Sequence, residues 1–260
     1  DIYVFDAFGV SHRKESSTYG VSNYLDSYAG LLLEDEVKNA QKLLTHTKPP
    51  LVTIISGAKI STKLSLIKKL INKSENIIIG GGILNTFLSA MGFNIGSSLI
   101  EKNFISEAKE IINSEYFNKI IMPIDVVTSN NIDFLYPKTK EISMVQSKDK
   151  ILDIGMQTIN RYIEVINKSK SVFWNGPLGY VEKKPYDNGT IKLSQAIARS
   201  DTYSIIGGGD TIPIIESLGI QNDFSYLSTG GGSLLKFIEG KDLPILSKLG
   251  VYSKWEKERK

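Results

Sequence analysis

The hydrophobic positions of this chain fall into short runs that are apolar at nearly every residue. A half-exposed strand alternates apolar and polar residues, so continuous runs are typical of strands that are covered on both faces. We predict strands at Leu51–Ile55, Ile77–Ile79, Lys119–Met122, Ser171–Trp174, Ser204–Ile206 and Phe224–Leu227.

Amphipathic stretches separate these runs. Within Ser61–Asn72, for example, Leu64, Ile67 and Ile71 recur at helical spacing and share one face. We predict further helices at Thr86–Met91, Ile105–Ile112, Ile159–Ile166, Ile191–Ala198 and Ile212–Leu218. Strands that alternate with helices predict an α/β fold, here a three-layer αβα arrangement around a mostly parallel, Rossmann-like sheet.

Residues 30–46 form one more predicted helix, which has no glycine triplet beside it. Its apolar positions include Leu33, Val37, Ala40 and Leu43, and the Pro49-Pro50 pair stops the chain just beyond it. The pattern alone supports two interpretations equally. The helix either connects two domains or is an ordinary first helix of the sheet domain.

Glycine triplets follow three of the predicted strands, at Gly80–Gly82, Gly207–Gly209 and Gly230–Gly232, and hold nine of the 22 glycines. The carboxyl ends of parallel strands are where open sheets bind ligands. Glycines let backbone N–H groups approach an anion, and a helix N-terminus adds about half a positive charge. One triplet alone is more typical of a flexible turn, but three at equivalent positions predict a phosphate-rich ligand.

The two common nucleotide-binding motifs are absent. The chain has no G-x-x-x-x-G-K-[ST] sequence, and G-x-G-x-x-G fails because the third glycine position holds Asn85, Ile212 or Leu235. The sequence therefore disfavours a P-loop enzyme and a standard dinucleotide dehydrogenase.

Charged side chains lie beside the glycine-rich strand ends. Lys59 leaves the first strand and Lys63 lies four residues on, so both could point at one phosphate chain. Asp210 could be an N-cap or could hold Mg²⁺ against phosphate oxygens. Glu182 and Arg13 are, taken singly, more typical of surface charges.

Composition excludes several other classes. The 260 residues contain no cysteine and only two histidines, so a disulfide scaffold, a cysteine zinc site and a thiol nucleophile are excluded. The net charge of +3 is diffuse and does not predict nucleic-acid binding. No apolar stretch approaches the roughly 18 residues that a membrane-spanning helix needs.

Together, these motifs resemble the phosphoglycerate kinase family. The following segments are similar to the family's DAFGTAHR, GGAKVSTKL, IIGGGMANTF, PVDVV, LDIGP, WNGPMG, GGGDT and STGGG: Asp6–Arg13, Ser56–Leu64, Ile78–Phe87, Pro123–Val127, Leu152–Gly155, Trp174–Gly179, Gly207–Thr211 and Ser228–Gly232. The resemblance runs from the first residue nearly to the last. Ser56 departs from it, since the family has glycine there, and we expect its side chain to narrow the nucleotide slot.

The resemblance implies a two-domain, hinge-bending kinase of glycolysis that transfers a phosphoryl group between 1,3-bisphosphoglycerate and Mg·ADP, giving 3-phosphoglycerate and ATP. It divides the chain into a remnant of the substrate-binding N-terminal domain (1–28), a connecting hinge helix (29–47), the nucleotide-binding C-terminal domain (48–240) and a C-terminal tail (241–260). The family's early substrate motifs are absent, so we expect the chain to be the nucleotide-binding half, with little activity alone. We expect the charged tail to be solvated.

The resemblance also implies roles for single residues. Lys59 would neutralise the phosphoryl group in flight, Lys63 would bind nucleotide phosphates, Asp210 would hold Mg²⁺, and Glu182 would accept the ribose hydroxyls. Arg13 would contact the glycerate substrate. Gly57, Gly80, Gly81, Leu152, Asn175 and Val181 would line the nucleotide slot, Gly208, Gly209 and Thr211 would contact phosphate, and Gly231 and Gly232 would face the transferring group, with Gly209 and Gly232 counted as catalytic.

Two functions remain open from the sequence. The first is a phosphoglycerate kinase, which the retained Lys59 favours because nucleotide binding alone would tolerate its loss. The alternative is a non-catalytic nucleotide-binding module. In either case we expect a cytoplasmic monomer whose partners are small molecules and not nucleic acid or membrane.

Overall fold

The computed structural model describes residues 1–132 and 136–251 and divides into two compact units. Unit 1 comprises Asp1–His46 with the described residues from Ser228 onward, and unit 2 comprises Thr47–Leu227. This division reflects packing and not which part binds which ligand. The domain boundaries predicted at residues 28, 47 and 240 therefore stay predictions.

Eleven strands build three sheets in the described residues. The strands are β1 Ile2–Phe5, β2 Asp26–Ala29, β3 Leu51–Ile55, β4 Asn76–Ile79, β5 Ile120–Ile121, β6 Asp125–Ser129, β7 Lys138–Glu141, β8 Lys150–Ile154, β9 Ser171–Asn175, β10 Tyr203–Gly207 and β11 Tyr226–Ser228. The largest sheet has six strands in the order β11-β10-β9-β3-β4-β5. The pairs β10–β9, β9–β3, β3–β4 and β4–β5 are parallel.

Nine α-helices accompany these strands in the described part of the chain. They are α1 Leu31–Thr45, α2 Leu64–Leu70, α3 Gly81–Ala90, α4 Ile105–Ile112, α5 Met156–Asn167, α6 Asn188–Ala198, α7 Ile212–Ser217, α8 Gly231–Glu239 and α9 Pro244–Lys248. Every residue of β3 and β9 is buried, so both faces of the sheet are covered. The predicted α/β fold with a mostly parallel sheet is confirmed.

Two small sheets were not predicted. Strands β7, β6 and β8 form an antiparallel sheet, and β1 pairs with β2 in parallel. Strand β7 has the sequence Lys-Thr-Lys-Glu and no apolar face, so hydrophobic periodicity does not predict a strand there. Asp125 is the first residue of β6 and is buried. Its carboxylate accepts hydrogen bonds from the Thr158 N–H at 2.8 Å and the Gln157 N–H at 3.2 Å, and so holds the first turn of α5.

Helix α1 belongs to unit 1, so it is not an ordinary helix of the six-stranded-sheet unit. Its start is held by Asp6, whose Oδ1 accepts the Leu33 N–H at 2.8 Å. The expectation of a solvated tail is wrong for its first part. Leu243, Ile245 and Leu246 are fully buried around α9, because these apolar residues complete the core of unit 1. The charged residues 254–260 lie outside the described residues.

Candidate functional site

A cavity of about 390 Å³ lies in unit 2, beside the glycine-rich ends of β3 and β4. Its wall is largely apolar, as suits the face of a planar ring. The apolar lining comprises Ala58, Leu84, Leu99, Ile132, Ile151, Leu152, Ile154, Pro177 and Leu178. The polar and charged side chains at its surface are Asn85, Ser97, Lys150, Asp153, Tyr180, Glu182 and Asp210.

Two glycine loops meet backbone to backbone at the floor of this cavity. Gly57 has a φ of +112° and Gly81 a φ of +60°, conformations that side chains disfavour. A Cβ on Gly81 would lie 2.7 Å from the Gly57 carbonyl oxygen, so a side chain cannot fit there. The Gly81 N–H donates to the Leu178 carbonyl at 2.9 Å, which ties this floor to the adjoining wall.

Lys63 lies at the junction of the loop after β3 and helix α2. Its ammonium donates to the carbonyl oxygens of Ser56 and, at 3.1 Å, Asn175. Burial lowers the pKa of Lys63 to about 8, and the nearby Asp210 carboxylate opposes that shift. Lys63 is thus a partly desolvated cation, held by main-chain carbonyls at the edge of the sheet.

Lys59 differs from Lys63 because its side chain is exposed. The loop that carries both lysines is fastened by Glu101. The Glu101 carboxylate accepts the Ser61 N–H at 2.8 Å and the Ser61 hydroxyl at 2.7 Å. An exposed, flexible ammonium on an anchored loop can reach an anionic ligand without breaking other contacts.

Asp210 is exposed and lies before α7, but it is not the cap of that helix. The N-cap residue is Thr211, and no side chain caps α7. The Thr211 hydroxyl is buried and has no hydrogen-bond partner within the described chain, and Gly208 has a φ of +126°. The N-cap interpretation of Asp210 is therefore wrong, and its carboxylate is available at the cavity surface.

This donor set fits a magnesium ion that comes with a nucleotide. Mg²⁺ keeps several waters and takes one or two carboxylates together with phosphate oxygens. Asp210 supplies one carboxylate, and residues 1–132 and 136–251 contain no group of three or more acidic or histidine side chains that would hold a metal alone.

The predicted site residues divide between the cavity surface and its surroundings. Those at the surface are Gly57, Gly81, Leu152, Glu182 and Asp210. The others of unit 2 lie on the elements next to it and are not part of its surface: Lys59, Lys63, Gly80, Asn175, Val181, Gly208, Gly209 and Thr211.

The remaining predicted residues lie in unit 1. Arg13 is exposed and its guanidinium forms an ion pair with Glu15 at 3.3 Å. Gly231, with a φ of +48°, and Gly232 begin α8. The next residue, Ser233, bonds the His12 ring nitrogen Nδ1 at 2.7 Å, which ties the start of α8 to the segment that carries Arg13.

Comparison with known proteins identifies the fold family. Residues 1–241 match the family model described as phosphoglycerate kinase. The chain belongs to the phosphoglycerate kinase family. The resemblance read from the sequence motifs is therefore confirmed.

Named phosphoglycerate kinases are similar over almost the whole chain. Those of Wigglesworthia glossinidia brevipalpis and Francisella philomiragia are 46% and 43% identical over 98% and 95% of it. The solved phosphoglycerate kinase of Coxiella burnetii aligns with a TM-score of 0.87 at 38% identity, over 97% of this chain and 66% of that one. The one from Pyrococcus horikoshii OT3 aligns with a TM-score of 0.85 at 27% identity, over 98% and 65%. The chain spans 64% of the length of both named relatives.

One departure from the phosphoglycerate kinase motifs has a structural explanation. The Ser56 side chain is fully buried and donates to the Pro177 carbonyl at 2.5 Å. It is not among the residues that line the cavity, so the expectation that it narrows the nucleotide slot is wrong. Ser56 instead joins the end of β3 to the loop after β9.

The structure adds cavity residues to which the family motifs assigned no role. Asp153 is the most informative, because it is an acidic residue between the apolar Leu152 and Ile154 of β8 and is only 2% exposed. An acidic residue flanked by apolar residues, in the sequence Ile151-Leu152-Asp153-Ile154, is the signal that could have identified it. No helix of the described residues is long and apolar enough to cross a membrane.

Proposed function

We propose that this chain contributes the nucleotide-binding part of a phosphoglycerate kinase, which transfers a phosphoryl group between 1,3-bisphosphoglycerate and ADP, giving 3-phosphoglycerate and ATP. The observation that carries the proposal is the cavity of unit 2, which combines a mostly apolar wall with a glycine floor and the exposed Asp210 carboxylate, and which lies next to the partly desolvated Lys63 ammonium. The cytoplasmic location of the protein, its monomeric state and the absence of nucleic-acid partners stay predictions.

The chemistry of the lining supports a nucleotide as the ligand. The apolar wall around Leu152 and Leu178 suits the faces of an adenine ring. Glu182 is exposed at the same cavity and would accept hydrogen bonds from the ribose hydroxyls. Gly57 and Gly81 leave room for a close approach, and Lys63 would neutralise phosphate oxygens.

The other end of the nucleotide requires charge neutralisation. Asp210 would hold Mg²⁺, and the ion would neutralise phosphate oxygens when it is bound. Gly208, Gly209 and Thr211 would offer N–H groups and a hydroxyl to the phosphates at the start of α7. The unpartnered Thr211 hydroxyl supports this role, because buried polar atoms normally have partners.

Transfer itself needs alignment and charge neutralisation more than covalent participation by the protein. Lys59 would supply a mobile ammonium to the equatorial oxygens of the phosphoryl group. In unit 1, Arg13 would bind the glycerate substrate, and the N–H groups of Gly231 and Gly232 would face the transferred group. No nucleophilic side chain is required, which is compatible with a chain that lacks cysteine.

Replacing Lys59 by alanine separates catalysis from nucleotide binding. We expect the Lys59→Ala chain to bind Mg·ADP within about twofold of the wild type, because Lys63 retains the nucleotide contact. Kinase turnover of the full-length protein should fall about a hundredfold or more, the order of magnitude for losing one charged transition-state contact. Calorimetry and a coupled enzyme assay measure the two quantities.

Lys69→Ala is the matched control for Lys59→Ala, since Lys69 is an exposed lysine on α2 and should change neither quantity. Full turnover in Lys59→Ala would contradict its catalytic role and favour the binding-module alternative.

We also infer that the 260 residues by themselves bind nucleotide but turn over little. The chain spans 64% of the length of its named relatives, and the remaining length would supply further substrate contacts. Calorimetry of the isolated chain should therefore show saturable Mg·ADP binding, and a coupled assay should show at most about a hundredth of the activity of a complete relative. Activity equal to that of a complete relative would contradict this inference.

A further inference from the structure

Asp153 is a buried acid for which the proposed reaction has no direct use. Its carboxylate lies at the end of β8 and forms no ion pair in the described part of the chain. Oδ1 accepts the Ile154 N–H at 2.8 Å, and Oδ2 accepts the Gly189 N–H at 2.8 Å. The desolvation of an unpaired carboxylate is unfavourable and raises the pKa of Asp153 to about 7, with Asp187 adding repulsion. Such a group requires an explanation beyond core packing.

The surrounding chain is shaped to accept this carboxylate. A Cβ on Gly179 would lie 2.6 Å from Oδ1 of Asp153, and a Cβ on Gly189 would lie 2.5 Å from it. Two backbone segments therefore close directly on the carboxylate, and any side chain at either glycine would displace it. The first segment belongs to the loop after β9, and the second to the first turn of α6.

These two segments lie near the two ends of residues 176–187, a stretch of chain that forms one wall of the cavity. Leu178, Gly179, Tyr180 and Glu182 line the cavity, and residues 176–187 contain neither an α-helix nor a strand that would fix them. Separate hydrogen bonds hold this stretch, and two of them join it to β8 and α6. The Tyr180 N–H donates to the Leu152 carbonyl at 2.7 Å, and the Leu178 N–H donates to the Thr190 hydroxyl at 3.0 Å.

We propose that Asp153 is the positioning residue of this wall: its carboxylate joins β8 to the first turn of α6 and thereby fixes the segment Leu178–Glu182 against the base and ribose of the nucleotide. The proposal rests on the proposed function, because it takes the ligand of the cavity to be a nucleotide. Asp153 acts through the wall and is not assigned a contact with phosphate.

A comparison of two ligands separates this role from a merely structural one. Mg·ADP uses the whole cavity, whereas magnesium tripolyphosphate carries phosphates without base or ribose. Asp153→Asn keeps the shape of the side chain but loses one acceptor oxygen, so we expect about tenfold weaker Mg·ADP binding, the size of one well-placed hydrogen bond. Binding of magnesium tripolyphosphate should remain within about twofold. Calorimetry on the 260-residue chain, with a melting curve for each variant, measures both affinities.

Asp201→Asn is the matched control, because Asp201 is an exposed carboxylate just beyond the C-terminal end of the same helix. It should change neither affinity by more than about twofold. Unchanged Mg·ADP binding in folded Asp153→Asn would overturn the proposal, and so would equal weakening of both ligands. A wild-type chain that binds no Mg·ADP would instead overturn the proposed function.

A measurement on the wild type keeps the proposal testable if Asp153→Asn does not fold. The carboxyl carbon of Asp153 can be followed by ¹³C NMR during titration. We expect its resonance to move when Mg·ADP binds and to stay in place with magnesium tripolyphosphate. A resonance that responds to neither ligand, or equally to both, would overturn the positioning role.

Discussion

Glu36→Ala should destabilise unit 1 by about 3 kcal/mol, because it removes a buried charged acceptor from three hydrogen bonds. Glu36 is fully buried in α1. Its Oε2 accepts the Ser228 hydroxyl at 2.6 Å, and its Oε1 accepts the Thr229 N–H at 2.7 Å and the Thr229 hydroxyl at 2.8 Å. Alanine would leave these donors without their acceptor inside the protein. Thermal unfolding should show a melting temperature lower by about 6–12 °C.

Two further variants define the origin of this effect. Asp35→Ala removes an exposed carboxylate from the same helix and should cost less than about 0.5 kcal/mol. Glu36→Gln keeps the shape and one acceptor oxygen, so its melting temperature should lie between those of the wild type and Glu36→Ala. A Glu36→Ala protein as stable as the wild type would show that the Ser228-Thr229 segment holds its conformation without the carboxylate.

Lys63→Met should weaken Mg·ADP binding about a hundredfold, a loss of about 2–3 kcal/mol that corresponds to one charge-assisted contact with phosphate. Methionine keeps the apolar stem of the side chain and removes the ammonium. Because that ammonium is already partly desolvated, its removal should leave the melting temperature near the wild-type value. Calorimetry gives the affinity, and Lys69→Met on the exposed face of α2 is the control.

The same lysine predicts how Mg·ADP affinity changes with pH. Burial lowers the pKa of Lys63 from 10.5 to about 8, so the free chain loses this proton as the pH rises through 8. The protonated form binds phosphate, and the affinity should therefore fall about tenfold between pH 7 and pH 9. Lys63→Met should abolish the pH dependence, and a dependence that survives in that variant would assign it to another group.

The sequence predicts the six-stranded sheet well because its strands are buried on both faces. Runs such as Leu51–Ile55 carry this burial in their composition, and β3 is buried at all five of its positions. Strand β7 could not be found in this way, since its stability comes from backbone pairing with β6 and not from apolar side chains. The prediction of a solvated C-terminal tail was wrong for Leu243–Leu246, because this apolar cluster is short and has charged residues on either side of it in the sequence.

Local motifs identify residue types but not their surroundings, both at the candidate site and in unit 1. Glu36 illustrates the limit: it is one of three consecutive acids, Glu34–Glu36, and only its position on the apolar face with Leu33 and Val37 distinguishes it. Its partners Ser228 and Thr229 lie far along the chain, so no local pattern could connect them.

What the sequence alone determined about this protein is the α/β class, the glycine loops that follow the strands and the membership of the phosphoglycerate kinase family, since each depends on residues close together in the chain. Only the tertiary structure decided which charged side chains are desolvated and which distant segments each of them contacts. Lys63 reaches the carbonyl of Asn175, and Asp153 meets Gly179 and Gly189, through contacts between distant segments. Burial and hydrogen bonding set the charge state of such groups, and both depend on how the chain folds back on itself.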